Sequence, residues 1–423
     1  MRALVAAVTA AGLAVGRASA HADGAPLTIE LAVKLALANN ERGQIADLNV
    51  VIADAAVTRA WVSFLPVLNA SAADTLKPID SPVNVATGQV SVSQPLVDPT
   101  AFPRLAVARH NLLGQRAQTA DDKRRLAFDA AKAFISVLLQ EEVVKAAQKK
   151  LETARANLAD TDAQMRAQLV SSNDVTRAQI SLAGTDRELA SDQGRLRAAY
   201  LQLGFLINAP PPTAVAPPAA LLIGGEAKPP DDESLIKQSL TRRPDLAARR
   251  ESAIAAHEST REPRLHYLPS LAIGANLNVT SNPGNNGHAV DGQIALTANW
   301  LIYDGGARKA DIMQRDAQAL IADLNTQALV RQIETDVRGA LNDLLAAQQE
   351  LTSARAAQDA AKKGAEEAAI LYRQGLAKAI ELLDANDQRF AADVNFATAE
   401  FDVASAYLEL RQAMGFDPVE AAP

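Results

Sequence analysis

Two stretches of the chain repeat apolar residues at alternating spacings of four and three. Leu126, Ala130, Ala133, Val137, Val144, Leu151 and Ala154 belong to the first, which runs on to Met165. An offset of 207 gives the second: Ile333, Val337, Ala340, Leu344, Leu351, Gln358 and Ala361, ending at Tyr372. A period of 3.5 predicts supercoiled helices that pack knobs into holes. The predicted helices, about 100–168 and 306–374, would each be roughly 100 Å long. Each ends at a break, Gln168-Leu169-Val170-Ser171 in one case and Gly375-Leu376-Ala377 in the other. A further amphipathic helix follows each break, over about 171–208 and 377–415. Gly375 suits a left-handed cap and Ser171 or Ser172 an N-cap, so the breaks read as hairpin tips.

Ahead of each long helix the period changes to two. Leu271, Ile273, Ala275, Leu277 and Val279 share one face, with Gly274, Asn276 and Asn278 on the other. After Ser281–Gly287 the alternation resumes through Ile294, Leu296, Ala298, Trp300 and Ile302. The first half repeats this with Leu68, Ala70 and Ala72, then Val90, Val92 and Leu96. Its phase slips between Val85 and Val90, which points to a bulge at Gly88. Apolar-out, polar-in strands of about ten residues, here over 66–97 and 268–302, have the length that a tilted outer-membrane strand needs. A soluble two-faced sheet fits the alternation alone as well.

The halves follow one plan. Leu65-Pro66 recurs as Leu268-Pro269, Asp98 as Asp304, and Tyr200-Leu201 as Tyr407-Leu408. The expected organisation is a signal peptide over 1–20, a first repeat over 21–208, a Pro-rich linker over 209–230, a second repeat over 231–416 and a short tail over 417–423. The fold class is mainly α with β, a duplicated helix-strand-strand-helix-helix unit. Arg2, the apolar run Ala3–Val15 and Ala18-Ser19-Ala20 form a secretory leader. Its apolar run is too short to anchor a helix in a bilayer. No later stretch is apolar enough to span as a helix, so entry into a membrane would have to use strands.

Composition narrows the classes. Among 423 residues, aromatics are only 4%, which suits long helices packed through small side chains. The net charge of −7 gives no footprint for nucleic acid, and zero cysteines remove disulfides and thiolate metal sites. The five histidines have no metal-ligand spacing, and neither a nucleophile elbow nor a phosphate loop is present; no enzyme, metal or cofactor is expected. Trp61, Phe64, Phe102, Tyr267, Trp300 and Tyr303 all fall where helix meets strand, the level of one membrane interface. Four strands cannot close a barrel, and open edges are forbidden in lipid, so copies must join. A trimer would give twelve strands around a lumen and twelve helices in a tube below.

These pieces resemble the outer-membrane efflux protein family, the TolC-like exit ducts of tripartite pumps, over nearly the whole mature chain. The resemblance is carried by Leu27-Thr28-Ile29-Glu30-Leu31-Ala32, Arg243-Pro244-Asp245-Leu246, Tyr267-Leu268-Pro269-Ser270 and Trp300-Leu301-Ile302-Tyr303-Asp304-Gly305-Gly306. Its most specific part is Tyr372-Arg373-Gln374-Gly375-Leu376 with Glu381-Leu382-Leu383-Asp384-Ala385. It implies a homotrimer in outer-membrane lipid that extends into the periplasm, with a twelve-stranded barrel, a long α-barrel and a closed entrance. It further implies docking of a periplasmic membrane-fusion adaptor and an inner-membrane pump, for drug efflux or type I secretion. A periplasmic coiled-coil adaptor or scaffold without a barrel is the alternative.

Glu381 and Asp384 lie three apart on one helical face and match the acids that ring the family's aperture, where six carboxylates would favour cations. Acids in a helix's first turns also stabilise its dipole, and the residues alone fit both readings. The resemblance makes Tyr372 and Asp174 partners in a lock between hairpins, with Lys378 beside the place of the family's lock arginine, which is Ala377 here. Tyr372 also fits simple packing at the seam's end. Leu169, Val170, Ser171, Gly375, Leu376 and Ala377 would be the adaptor-docking tips, or else ordinary Gly-capped turns.

Overall fold

The computed structural model of the protein describes residues 26–77, 83–210, 212, 214–282 and 289–419. The leader expected over 1–20 and most of the loop after Asn282 lie outside them. The first half consists of α1 (Ile29–Asn39), α2 (Glu41–Trp61), β1 (Val67–Lys77), β2 (Val83–Val97), α3 (Ala101–Arg166) and α4 (Ser172–Ile207). A short α5 (Ala219–Glu226) leads to the second half: α6 (Asp232–Arg242), α7 (Pro244–Ser259), α8 (Arg261–Leu265), β3 (Ser270–Thr280), β4 (Val290–Asn299), α9 (Ala307–Arg373) and α10 (Ala379–Met414).

The seam does what its period dictates. Leu126, Ala130, Val137, Val144 and Leu151 are buried on α3, and Ile333, Val337, Leu344 and Leu351 on α9. One core gathers Phe128, Phe134 and Leu203 with α1; another joins Leu235, Ile333, Leu344 and Val403. Both lie near the middle of the long helices, where the short helices cover them. Phe128 and Phe134 are among the few large side chains wholly removed from water.

The returning helices end against these short helices, and each joint is capped in the same place. Asn40, the C-cap of α1, donates from Nδ2 to the Leu206 carbonyl at 2.9 Å. Arg243, the C-cap of α6, donates to the Ala413 carbonyl at 3.4 Å. Leu206 and Ala413 are repeat mates, so at the same place in each half a side chain satisfies a carbonyl that a helix end leaves open. In the second half a cation meets the negative end of the helix dipole. Arg243 also pairs with Asp245 at 2.7 Å and Asp336 at 3.2 Å, and Arg124 donates to the Gln412 carbonyl at 2.6 Å.

Within residues 209–230, prolines notwithstanding, the described residues make contacts to both halves. Leu27 N–H donates to Ala214 and Ala216 N–H to Leu27, a short parallel bridge. The α5 segment then lies against α10. A Cβ on Gly224 would stand 2.9 Å from the Tyr407 ring, and one on Gly225 2.9 Å from Val403 Cγ1. Gln348 Nε2 donates to the carbonyls of Gly225 (2.6 Å) and Ala227 (3.0 Å), locking the segment in its seat.

The sheet runs β1-β2-β3-β4, antiparallel throughout. Two expectations are corrected here. Gly88 is regularly paired, with Ala72 on one side and Val279 on the other; the irregularity lies between Pro95 and Val97. Pro95 has no N–H to give the ladder, so this is where the pairing slips. Trp300 and Ile302 also fall outside the strand, because β4 pairs only as far as Asn299 opposite Ser270, and Pro269 beyond it lacks a donor. Asp98 and Asp304 each turn the chain from strand into long helix. Asp98 Oδ1 accepts from Thr100 N–H and Oγ1–H, whereas Asp304 accepts from the N–H groups of Gly306 and Arg308. The Arg308 N–H and guanidinium hold the Asp304 carboxyl below its usual range.

Arg243→Ala should lower the stability of the detergent-solubilised protein by about 3 kcal/mol, because Asp245 and Asp336 lose their buried counter-ion. Arg243→Lys should recover only part of this, read as the midpoint of thermal unfolding. Burial opposes the Asp245 carboxylate, but Arg243 and the Leu246 N–H outweigh it and keep its pKa low. Its contribution is therefore complete above the ordinary carboxylate pKa of about 4 and is lost as pH falls below that.

Candidate functional site: the hairpin tips and the helix–strand girdle

Both tips turn through a left-handed residue at the same repeat position: Gln168 at φ 57° and Gly375 at φ 74°. Leu169 N–H reaches back to the Gln164 carbonyl and Leu376 N–H to Leu371, both at 2.9 Å. This is the backbone closure that favours glycine, and the first tip makes it without one. Leu169 and Leu376 are exposed at 75% and 73%, so both apolar tips stand free in the single chain.

Ser171 and Asp174 form a capping box at the start of α4. Asp174 Oδ2 accepts from the Ser171 N–H at 3.1 Å and from its hydroxyl at 2.9 Å. Tyr372 is buried at the foot of α9, and its hydroxyl meets Thr161 Oγ1 at 3.3 Å. The expected Tyr372–Asp174 hydrogen bond is therefore not made within the chain, since the carboxylate is engaged by its own cap. Even so, Tyr372, Asp174, Arg177 and Lys378 line one open cleft of about 650 Å³ between the two tips, together with Val170, Ser171 and Ala377.

Glu381 and Asp384 are exposed on the first turns of α10. Asp384 Oδ2 accepts from Gln388 Nε2 at 2.8 Å, and the Glu381 N–H donates to the Lys378 carbonyl at 3.0 Å. Their repeat mates are Asp174 and Arg177, so only the second hairpin presents two acids here.

One residue that sequence reasoning missed ties this acidic helix to the first hairpin. Lys150 Nζ, on α3, lies 2.9 Å from Glu188 on α4 and 3.2 Å from Asp387 on α10, and stands 4.4 Å over the Phe390 ring. Burial disfavours its charge, but the two carboxylates outweigh burial and raise its pKa. No spacing announces it, because its partners come from three helices.

At the opposite end the helix–strand aromatics gather in two groups. Trp61 and Phe64 have ring centroids 5.4 Å apart, Phe64 meets Phe102 edge-on at 5.2 Å, and Arg109 lies 5.6 Å from the Trp61 ring. Trp300 Nε1 donates to the Tyr267 carbonyl at 3.0 Å, and Arg308 stacks on the Tyr267 ring at 4.3 Å. Tyr303 stands 80% exposed beside them. Across the sheet, Leu68, Leu277, Ile294 and Leu296 are likewise uncovered. Among the described residues no helix is long and apolar enough to cross a membrane.

Residues 235–416 match the model of the family described as outer membrane efflux protein. The match covers the second half of the chain. The chain is 22% identical to the outer membrane protein TolC of Vibrio cholerae over 369 residues, covering 85% of this chain and 84% of that protein. Among solved structures it is similar to CusC, with TM-score 0.79 at 17% identity over 92% of both chains. It is also similar to the open state of the MtrE outer membrane channel of Neisseria gonorrhoeae, with TM-score 0.77 at 18% identity over 92% of this chain and 89% of that one. At these identities the structural likeness establishes the fold.

Two measurements probe the tips. Gly375→Ala should cost about 1 kcal/mol, while Gln168→Gly should stabilise by a similar amount, as read from thermal unfolding. Lys150→Met should cost about 1 kcal/mol or less and speed amide exchange in residues 379–393, whereas Lys150→Arg should leave exchange near the wild-type rate.

Proposed function

We propose that this protein is the outer-membrane exit duct of a tripartite efflux or type I secretion system, a passive homotrimeric channel that opens at its periplasmic end. One observation carries the reading. A four-stranded sheet with both edges open and its apolar residues uncovered sits on helical hairpins about 100 Å long. The sheet can enter hydrocarbon only once its edges are paired, and three copies supply twelve strands, enough to leave a lumen. The helices then continue that lumen into the periplasm. The Trp61–Phe64–Phe102 and Tyr267–Trp300–Tyr303 groups lie at the periplasmic membrane interface, where amphipathic rings are favoured. A periplasmic adaptor or scaffold without a barrel is not favoured, as it would have no use for the uncovered sheet.

The tips, Leu169, Val170 and Ser171 with Gly375, Leu376 and Ala377, take the periplasmic membrane-fusion adaptor, and the inner-membrane pump supplies the work. Glu381 and Asp384 of three copies form the aperture's carboxylate ring. Asp174, Tyr372 and Lys378 share the cleft that must widen when the second hairpin moves from the first, which supports their reading as the gate link. The duct guides cargo by field and shape, so no catalytic residue is assigned.

Reconstitution in planar bilayers tests the reading. The purified protein should form discrete, cation-preferring conductances; recovery as a soluble monomer without conductance would refute it. Glu381→Ala with Asp384→Ala should weaken the cation preference and raise open probability, while unchanged selectivity and gating would reduce the two acids to helix-dipole partners.

A further inference from the structure

The two halves pack on each other through α3 and α7, and the repeat turns that contact into a template for a contact between copies. Repeat mates differ by 203 along the short helices, from Leu65-Pro66 and Leu268-Pro269, and by 207 along the unbroken long helices. The mapping can be checked within one chain. Arg264 pairs with Asp316 at 3.0 Å, and their mates, Trp61 and Arg109, are also in contact, as ring and guanidinium.

Helix α7 lies between α3 and its own long helix α9. Among the described residues its mate α2 packs along its own long helix α3, and no second long helix stands where α3 stands against α7. We infer that α9 of one copy packs along α2 of the next in the register of α3 on α7, with Asp311 facing Arg59 of the adjoining copy.

Three pairs define the template. Gly114 lies against Ala248, Arg104 Nε donates to Glu262 at 2.6 Å, and His110 Nδ1 meets Glu251 at 2.8 Å. The first pair maps to Ile321 and Ile45. Ala248 is 7% exposed, whereas Ile45 and Ile321 stand 56% and 57% exposed in the single chain. The third pair maps to Ala317 and Leu48, the latter 61% exposed. The charged pair maps to Asp311 and Arg59, which restores complementarity with the signs exchanged. Among the described residues both are exposed, and neither has a partner within the chain. Isoleucines replacing glycine and alanine at the crossing set these axes farther apart than those of α3 and α7. The contact is heterologous and closes as a ring when repeated. It runs beneath the open edges of the sheet, because α2 leads into β1 and β4 leads into α9.

The inference rests on the oligomeric duct proposed above, and its test separates the two. The native chain has no cysteine. In the full-length protein in native membranes, Arg59→Cys with Asp311→Cys and a short bis-maleimide should give a covalent trimer. Co-expressed single variants should give dimers at most. A lysine-directed cross-linker that traps trimers, with the cysteine pair unlinked, would overturn the register and leave the duct intact. Monomers with both reagents would overturn the duct as well. As a folding control, Arg59→Asp or Asp311→Arg alone should lower the detergent-resistant trimer fraction, and the two together should restore it. A trimer unaffected by either single exchange would also overturn the register.

Discussion

A backbone amide left unpaired in hydrocarbon costs several kcal/mol, and this chain carries a row of them along β1 and another along β4. That cost decides the architecture. The protomer cannot hide its edges by adding strands, because each half supplies one hairpin and no more. It cannot leave them open either, because the faces flanking them carry Leu68, Ile294 and Leu296. Association relieves the cost, and the long helices beneath follow wherever the strands are joined. The low aromatic content fits this division: the hairpins need thin helices that approach closely, and several of the rings gather where strand meets helix.

Below the sheet, the fold depends on joints rather than on a large core. Each returning helix stops at mid-height, and a short helix takes over its column. The Asn40–Leu206 and Arg243–Ala413 hydrogen bonds occupy the same repeat position with different chemistry. A neutral amide suffices in the first half. In the second, the guanidinium also neutralises Asp245 and Asp336, so a charged network replaces a single cap. Farther down, contacts thin to the seam and a few polar crossings, Lys150 and Thr161–Tyr372 among them. The cleft between the tips, about 650 Å³, lies at the far end of these thinning contacts.

The long helices were legible because a 3.5-residue period sustained over many turns suits a supercoiled helix and little else. The resemblance was legible because the motifs that carry it stand in order along the chain. The strands were legible as alternation, but alternation gives the phase of side chains and not the point where a ladder fails; hence the bulge expected at Gly88 lies beside Pro95. Trp300 and Ile302 kept the rhythm of a strand after their partner strand had ended at Ser270. Ser171 read as a helix cap, yet the sequence could not show that Asp174 is engaged by that cap while Tyr372 meets Thr161. Lys150 was silent because its significance arises from Glu188, Asp387 and Phe390, which only the packing of three helices brings together.

The seat of α5 has a consequence for symmetry. In the first half Tyr200 donates its hydroxyl to Glu141. The mates are Tyr407 and Gln348, and there Gln348 turns away to hold the Gly225 and Ala227 carbonyls while Gly224 packs on the Tyr407 ring. A chain has one crossing between its halves, so its helix α5 can clasp the returning helix of only one of them. Six nearly equivalent units around the proposed pore would therefore carry three girdling straps. Every second returning helix is clasped in this way and its neighbour is not, which makes the two kinds of hairpin mechanically unequal before any ligand or partner arrives.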